Sequence, residues 1–195
     1  MAHVEGLPET TRRPFARFVF WAARKKLGRT VEPLRGYARS TPVLLGSMML
    51  ELAMERANKV DAQTRGLAEL RVASRVGCQF CLDIGSAIVR KHGASPAQVR
   101  DLHRYEESSH FSDREKTVLR FADLCTETPM PPAGEAVQEL RRYFDDQQIV
   151  ELAAAIAHEN MRARLNHALG YGAEGFTEGG VCALAADRGP LRAVS

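Results

Sequence analysis

Residues 145–170, DDQQIVELAAAIAHENMRARLNHALG, carry Ile149, Val150, Leu152, Ala153, Ile156, Ala157, Met161, Leu165 and Leu169. Those three- and four-residue steps draw one broad apolar stripe on an α-helix and fit no strand. The same period returns in most of the chain, and stop and start signals divide it. TPVLLGSMMLELAMERANK (41–59) opens at Thr41 as a cap with Pro42 in the first turn. DAQTRGLAELRVASRVG (61–77) has Asp61 as its cap and Gly77 as its stop. Next come CQFCLDIGSAIVRKHG (78–93), SPAQVRDLHRY (95–105) and SDREKTVLRFADLCTET (112–128), the last with Ser112 and Glu115 at capping-box spacing. PPAGEAVQELRRYF (131–144) follows a proline break. No alternating apolar–polar run is long enough to be a useful strand. The fold class is therefore all-α, a helical bundle, and 195 residues suit one good-sized core better than two.

Charge and composition narrow the function. The net charge of +3 is too small to argue for nucleic acid. It is concentrated in residues 1–40, where nine Arg or Lys face three Glu. Within them PFARFVFWAARKKLG (14–28) mixes Phe15, Phe18, Val19 and Trp21 with Arg17, Arg24, Lys25 and Lys26. It reads as a helix laid on the core or on a neighbouring subunit, with a solvated basic face, rather than as a membrane-surface helix. The longest apolar stretches fall short of a bilayer span, and the N-terminus has no apolar signal region. The chain is expected in the cytoplasm. The Gly-rich stretch 171–195 has no clear period and reads as an extended arm, with Cys182 an adventitious thiol.

In a reducing compartment the pair Cys78 and Cys81 is more often catalytic or metal-binding than a permanent staple. Zinc needs two further ligands. Cys125 and Cys182 are remote in sequence, and His92 lies eleven residues past Cys81 on the same helix, about 16 Å of rise. No metal and no cofactor are expected. Cys78 sits at the start of a helix that follows Gly77, and Cys81 lies in its first turn. A thiolate there meets unpaired backbone N–H groups and the positive end of the helix dipole, which lower its pKa. One helical turn also brings two sulfurs within disulfide reach. A redox dithiol is the reading preferred over two unrelated buried cysteines. The helix start does not choose which sulfur attacks first.

The succession LAELRVASRVG, GCQFC and an apolar helix ending in HGAS resembles the carboxymuconolactone decarboxylase and AhpD-like superfamily. TPVLLGSMM and the segments FSDREKTVLRFADLCTETP and DDQQIVELAAAIAHENMRARLNHALGYGAEGF extend the resemblance over roughly 35–176. That region is taken as the family domain, with 1–34 a basic amphipathic segment and 177–195 a C-terminal arm. The resemblance implies an all-helical subunit forming a homo-oligomer (trimer, hexamer or dimer). In its AhpD-like branch it implies reduction of a hydroperoxide, with Cys81 attacking, Cys78 resolving and a thiol or dithiol reductant as partner. The decarboxylase branch acts on a small lactone acid without depending on a CxxC.

The sequence departs from the AhpD-like pattern at its proton relay. A Glu is expected twelve residues before the first cysteine and a His four residues after the second; Gly66 and Gly85 stand there. Glu69, one turn past Gly66, and Asp83, beside the thiols, are the candidate substitutes. A carboxylate close to Cys81 would also oppose thiolate formation. Asn160 and Arg164, four apart on the long helix, are candidate substrate-binding groups for an acidic ligand. His158 and His167 are nine apart, about half a turn out of phase, so only one can face any given site. His92 and His103 read as helix-end residues and Cys125 as a small core residue. The sequence therefore leads to a CxxC peroxidase, with a lyase on a small carboxylated substrate and a non-catalytic oligomeric protein as the alternatives.

Overall fold

The computed structural model describes residues 2–177. They form nine α-helices and one 3-10 turn, and no strand occurs among the described residues. The helices are α1 (Pro14–Leu27), α2 (Glu32–Tyr37), α3 (Thr41–Arg56), α4 (Ala62–Val76), α5 (Gln79–Lys91), α6 (Pro96–Asp101), α7 (Asp113–Thr126), α8 (Gly134–Leu140) and α9 (Asp146–Ala168).

Most of the punctuation acts as the residues dictate. The Asp61 carboxylate caps Thr64 N–H at 2.8 Å, and Gly77 closes α4 at φ 82°, a conformation glycine adopts without a Cβ penalty. Ser95 with Gln98, Ser112 with Glu115 and Asp145 with Gln148 complete reciprocal capping boxes. Two expectations shift, and one helix is new. Ser40, not Thr41, is the N-cap of α3. The helix expected over 95–105 ends at Asp101 and tightens into a 3-10 turn at Leu102–Arg104. The short helix α2 was not readable as a period, because six residues hold too few turns to repeat one.

Helix α4 is the centre of the molecule. Leu67, Leu70 and Ala73 face a core shared with α1, α2, α5 and the C-terminal segment. Ala68 and Val72, on its other side, face a core shared with α7, α8 and α9. Burial on two faces needs apolar residues on two faces, and LAELRVA supplies them. Helix α5 crosses α4 closely: a Cβ on Gly66 would sit 3.1 Å from Val89 Cγ2, and one on Gly85 3.1 Å from Leu70 Cδ1. The basic helix α1 docks through Ala16, Val19, Phe20 and Ala23 and leaves Phe18 and Trp21 exposed.

The segment 171–177 is a strap over α5. Asp83, 1% exposed, accepts hydrogen bonds from the backbone of Glu174 (2.8 Å), Phe176 (3.0 Å) and Thr177 (2.9 Å) and from the Thr177 hydroxyl (2.7 Å). Tyr171 anchors the strap's start. Its hydroxyl oxygen occupies the space of a missing side chain, 1.7 Å from where a Cβ on Gly36 would lie. The rest of the expected arm, with Cys182, lies outside the described residues.

Candidate functional site

Helix α5 starts at Gln79 with Cys78 as its N-cap, and the Cys78 sulfur accepts the Cys81 backbone N–H at 3.2 Å. The two residues are joined as a disulfide with Cα atoms 5.3 Å apart. Their surroundings differ. Cys78 is fully buried, whereas Cys81 lines a cavity of about 360 Å³ enclosed by α1, α2, α3, α4, α5 and α9. The wall is mainly apolar: Val19, Leu34, Met48, Leu70, Phe80 and Ile84 contribute to it. Leu52, Ile88 and Met161 also line it and are 45%, 41% and 44% exposed, which makes them an apolar rim.

Behind Cys81 stands a relay of neutral donors. Asn166, fully buried, directs its Nδ2 at the Cys81 sulfur at 3.5 Å. The Tyr37 hydroxyl donates to Asn166 Oδ1, at 2.5 Å. Burial pushes the Tyr37 pKa well above its usual value, so the phenol keeps its proton and stays a donor. The bond also orients the amide, leaving its N–H₂ end toward sulfur.

One side of the cavity is charged. Arg162 donates through Nε to Glu159 at 2.7 Å and through Nη1 to Glu51 at 3.1 Å, and its Nη2 also contacts Glu159. Glu69 joins them from α4 and is itself 3.8 Å from Arg65. His158 Nε2 is 3.7 Å from Glu51. Burial pushes the Glu159 carboxyl up to about 7, against the opposing pull of Arg162. Burial raises Glu69 in the same sense, opposed by Arg162 and Arg65. Burial lowers His158, with help from Arg162, so its imidazole is held neutral. Among the described residues no group of three or more His, Cys, Asp or Glu could hold a metal ion. The arginine fills the centre of this cluster.

The residues singled out from sequence fall into two groups. Cys81, Glu69, Gly66, Gly85 and His158 all line the cavity. Asp83, Asn160 and Arg164 do not. Residue 83 follows 81 by about 200° around a helix, and its carboxylate holds the strap. Burial raises the Asp83 pKa, but the hydrogen bonds from the strap outweigh it and hold the carboxyl below the usual range. Asn160 donates to Thr126 Oγ1 at 3.1 Å and to the Ile156 carbonyl at 3.2 Å. Arg164 donates to the Thr126 carbonyl at 2.8 Å and shares a separate surface groove with His167. On α9 the cavity stripe is His158, Glu159, Arg162 and Asn166. Residues 160 and 164 are offset from it by about half a turn. Sequence reasoning passed over Glu51, Glu159, Arg162, Asn166 and Tyr37. For α9 the available signal was Glu159, Arg162 and Asn166 recurring at three- and four-residue spacing within an apolar stripe.

His92 caps the C-terminus of α5, and His103 Nδ1 meets the Arg100 carbonyl at 2.9 Å. Cys125 is half-buried, and burial pushes its thiol up to about 11, which leaves it inert. No helix of the described residues is long and apolar enough to cross a membrane.

A helical fold with a CxxC opening the helix that packs on α4 defines a class, and sequence comparison gives the same one. The chain belongs to the carboxymuconolactone decarboxylase and AhpD-like superfamily: the profile of the carboxymuconolactone decarboxylase family matches residues 45–124. It is 31% identical to the uncharacterised Escherichia coli protein YnjA over 174 residues, covering 88% of this chain and 95% of that one. The fold is shared with the debrominase Bmp8 (TM-score 0.77, 20% identity, 89% of this chain and 92% of that one). It is also shared with an uncharacterised peroxidase-related protein from Silicibacter sp. TM1040 (TM-score 0.74, 22% identity, 85% and 88%).

Proposed function

We propose that the chain is a thiol-dependent reductase of hydroperoxides, with Cys81 as the attacking thiol and Cys78 as the resolving one. One juxtaposition carries the reading: Cys81 lines the cavity, and Cys78, fully buried and outside that lining, lies within bonding distance of it. Asn166 Nδ2 and the α5 N-terminus favour the Cys81 thiolate in the reduced protein. The thiolate attacks the distal peroxide oxygen, the O–O bond breaks, and Cys81 becomes a sulfenic acid. The departing alkoxide takes a proton from the acidic cluster, in which Glu159 is still partly protonated near pH 7. Cys78 then attacks the sulfenic sulfur, water leaves and the disulfide forms. A dithiol reductant returns two electrons and two protons. Such a partner suits a reducing compartment such as the cytoplasm. Exposed apolar residues on α3 (Val43, Leu45, Met49) support a homo-oligomer.

The lyase alternative has less support. Arg164, its expected anchor, faces another groove, and the charge of Arg162 is already taken up by carboxylates. Kinship of fold with a debrominase, a variant of which was crystallised with 2,3,4-tribromopyrrole, favours a second substrate arm. There the thiolate would take bromine, the carbanion a proton, and Cys78 would expel bromide as the disulfide forms.

The test is single-turnover consumption of cumene hydroperoxide, with a bromopyrrole in parallel, by the fully reduced chain. Cys81→Ser is expected to abolish the fast phase. Cys78→Ser is expected to keep the first step and accumulate a sulfenic acid. Consumption no faster than by a free thiol on either substrate would overturn the reading.

A further inference from the structure

The cavity wall and its charged side differ in what they admit. Six carboxylate, ammonium or guanidinium side chains line it: the carboxylates Glu51, Glu55, Glu69 and Glu159 against the cations Lys26 and Arg162. Neither cation is free to receive a ligand. Lys26 is paired with Glu55. Arg162 donates to Glu159 and to both oxygens of Glu51, and it also lies in the field of Glu69. Glu159 is 2% exposed, so its charge, when present, is poorly screened by solvent. An incoming carboxylate would have to displace Glu51 or Glu159 from the guanidinium and then sit among the remaining acids. That costs desolvation and like-charge repulsion together. An uncharged hydrocarbon body meets no such cost and passes an apolar rim of Leu52, Ile88 and Met161.

We propose that the Glu51, Glu69 and Glu159 carboxylates grouped on Arg162 make this cavity selective for uncharged apolar organic molecules against organic carboxylates of the same size. The inference deepens the reading of Cys81 as a cavity-facing reactive thiol and rests on it for turnover, but not for binding. A substrate would be an uncharged organic molecule whose electrophilic atom reaches Cys81 while its apolar body stays against Phe80 and Ile84.

Two measurements separate selectivity from chemistry. In the first, methyl 4-phenylbutanoate and 4-phenylbutanoate are titrated into the full oxidised chain near pH 8, by calorimetry or ligand-observed NMR. The ester is expected to bind at least roughly tenfold tighter. Glu51→Gln, and separately Glu69→Gln, is expected to narrow that ratio to a few-fold by tightening the acid. In the second, the reduced chain is given a fatty-acid hydroperoxide as methyl ester and as free acid, and the ester is expected to react faster by a similar ratio. Equal or tighter binding of the acid, binding of neither ligand, or a ratio unmoved in both variants overturns the inference. Ester preference in binding without peroxide turnover upholds the inference and removes the peroxidase reading. Turnover without that preference does the reverse.

Discussion

Two arginines divide this molecule, one buried and one at the wall of a cavity. Arg71, on α4, has a single carboxylate partner in a forked pair: Nε to Asp123 Oδ1 at 2.7 Å and Nη2 to Oδ2 at 3.0 Å. Its Nη1 donates to the Leu102 carbonyl at 3.2 Å, and the Tyr105 ring lies beneath the guanidinium while its hydroxyl donates to Asp123. Donors and acceptors match, and the one carboxylate is shared with the half-exposed Arg75, whose Nε lies 3.6 Å from Asp123 Oδ1. Arg162, on α9, instead bonds two carboxylates, Glu159 and Glu51, and lies in the field of a third, Glu69, at the wall of a cavity. The first arrangement ties α4 and α7 to the 102–105 turn. The second leaves excess acid facing an open space beside a thiol. A buried charge that is balanced and enclosed reads as structure; one that is over-compensated and open to a cavity reads as a site.

The largest expected effect comes from breaking the balanced pair. Asp123→Ala strands Arg71 without its carboxylate and is expected to cost about 3–5 kcal/mol, read as a fall in urea midpoint. It should leave the ester-to-acid binding ratio unchanged. A loss under 1 kcal/mol would mean that Arg71 finds water or another partner. Next is the strap, where Asp83 repeats the balanced logic with four donors and one carboxylate. Asp83→Ala is expected to cost on the order of 3 kcal/mol, with cleavage by a protease appearing in the 171–177 segment. An unchanged proteolysis pattern would show that Tyr171 and Phe176 hold the strap alone.

The over-compensated cluster should declare itself through pH. The Glu159 carboxyl titrates near 7 in the folded chain, against about 4.3 unfolded. The folded state holds the proton more tightly, so stability from this group is full below about 4.5 and is lost as pH rises through about 7. His158, lowered by burial, contributes with the opposite sign: its share is lost as pH falls below about 6.5. Glu159→Gln is therefore expected to flatten the decline of Tm between about pH 5 and 7.5 relative to the parent chain. Superimposable Tm–pH curves would remove the titration. The smallest effects belong to the neutral relay. Asn166→Ala is expected to slow iodoacetamide capture of the reduced Cys81 at pH 7 by about tenfold, through a raised thiol pKa. Tyr37→Phe, which frees the amide without removing it, should slow capture about threefold. Equal rates in all three proteins would show that the helix N-terminus alone tunes the sulfur.

The site was half legible in the sequence. Cys78 and Cys81 announce themselves by spacing and by the glycine before them, and Glu69 follows from its one-turn step past Gly66. On α9 the helix was evident but its phase was not. Its apolar stripe is broad, so both Asn160 with Arg164 and Glu159 with Arg162 and Asn166 lie beside it. Only docking against α3, α4 and α5 chose the second set. Glu51 and Tyr37 come from α3 and α2, whose own periods point at no common target.

By itself, the sequence determined the helices and most of their caps and stops, and it set a thiol pair at a helix start. Those are local matters, settled by side chains within a turn or two of each other. The tertiary structure decided which cysteine lines a cavity, which arginine is balanced and which is crowded by acid, and that Asp83 holds a strap. Each of these depends on residues from different helices meeting in a low-dielectric interior, where the sign and number of neighbours fix what a charged group can do.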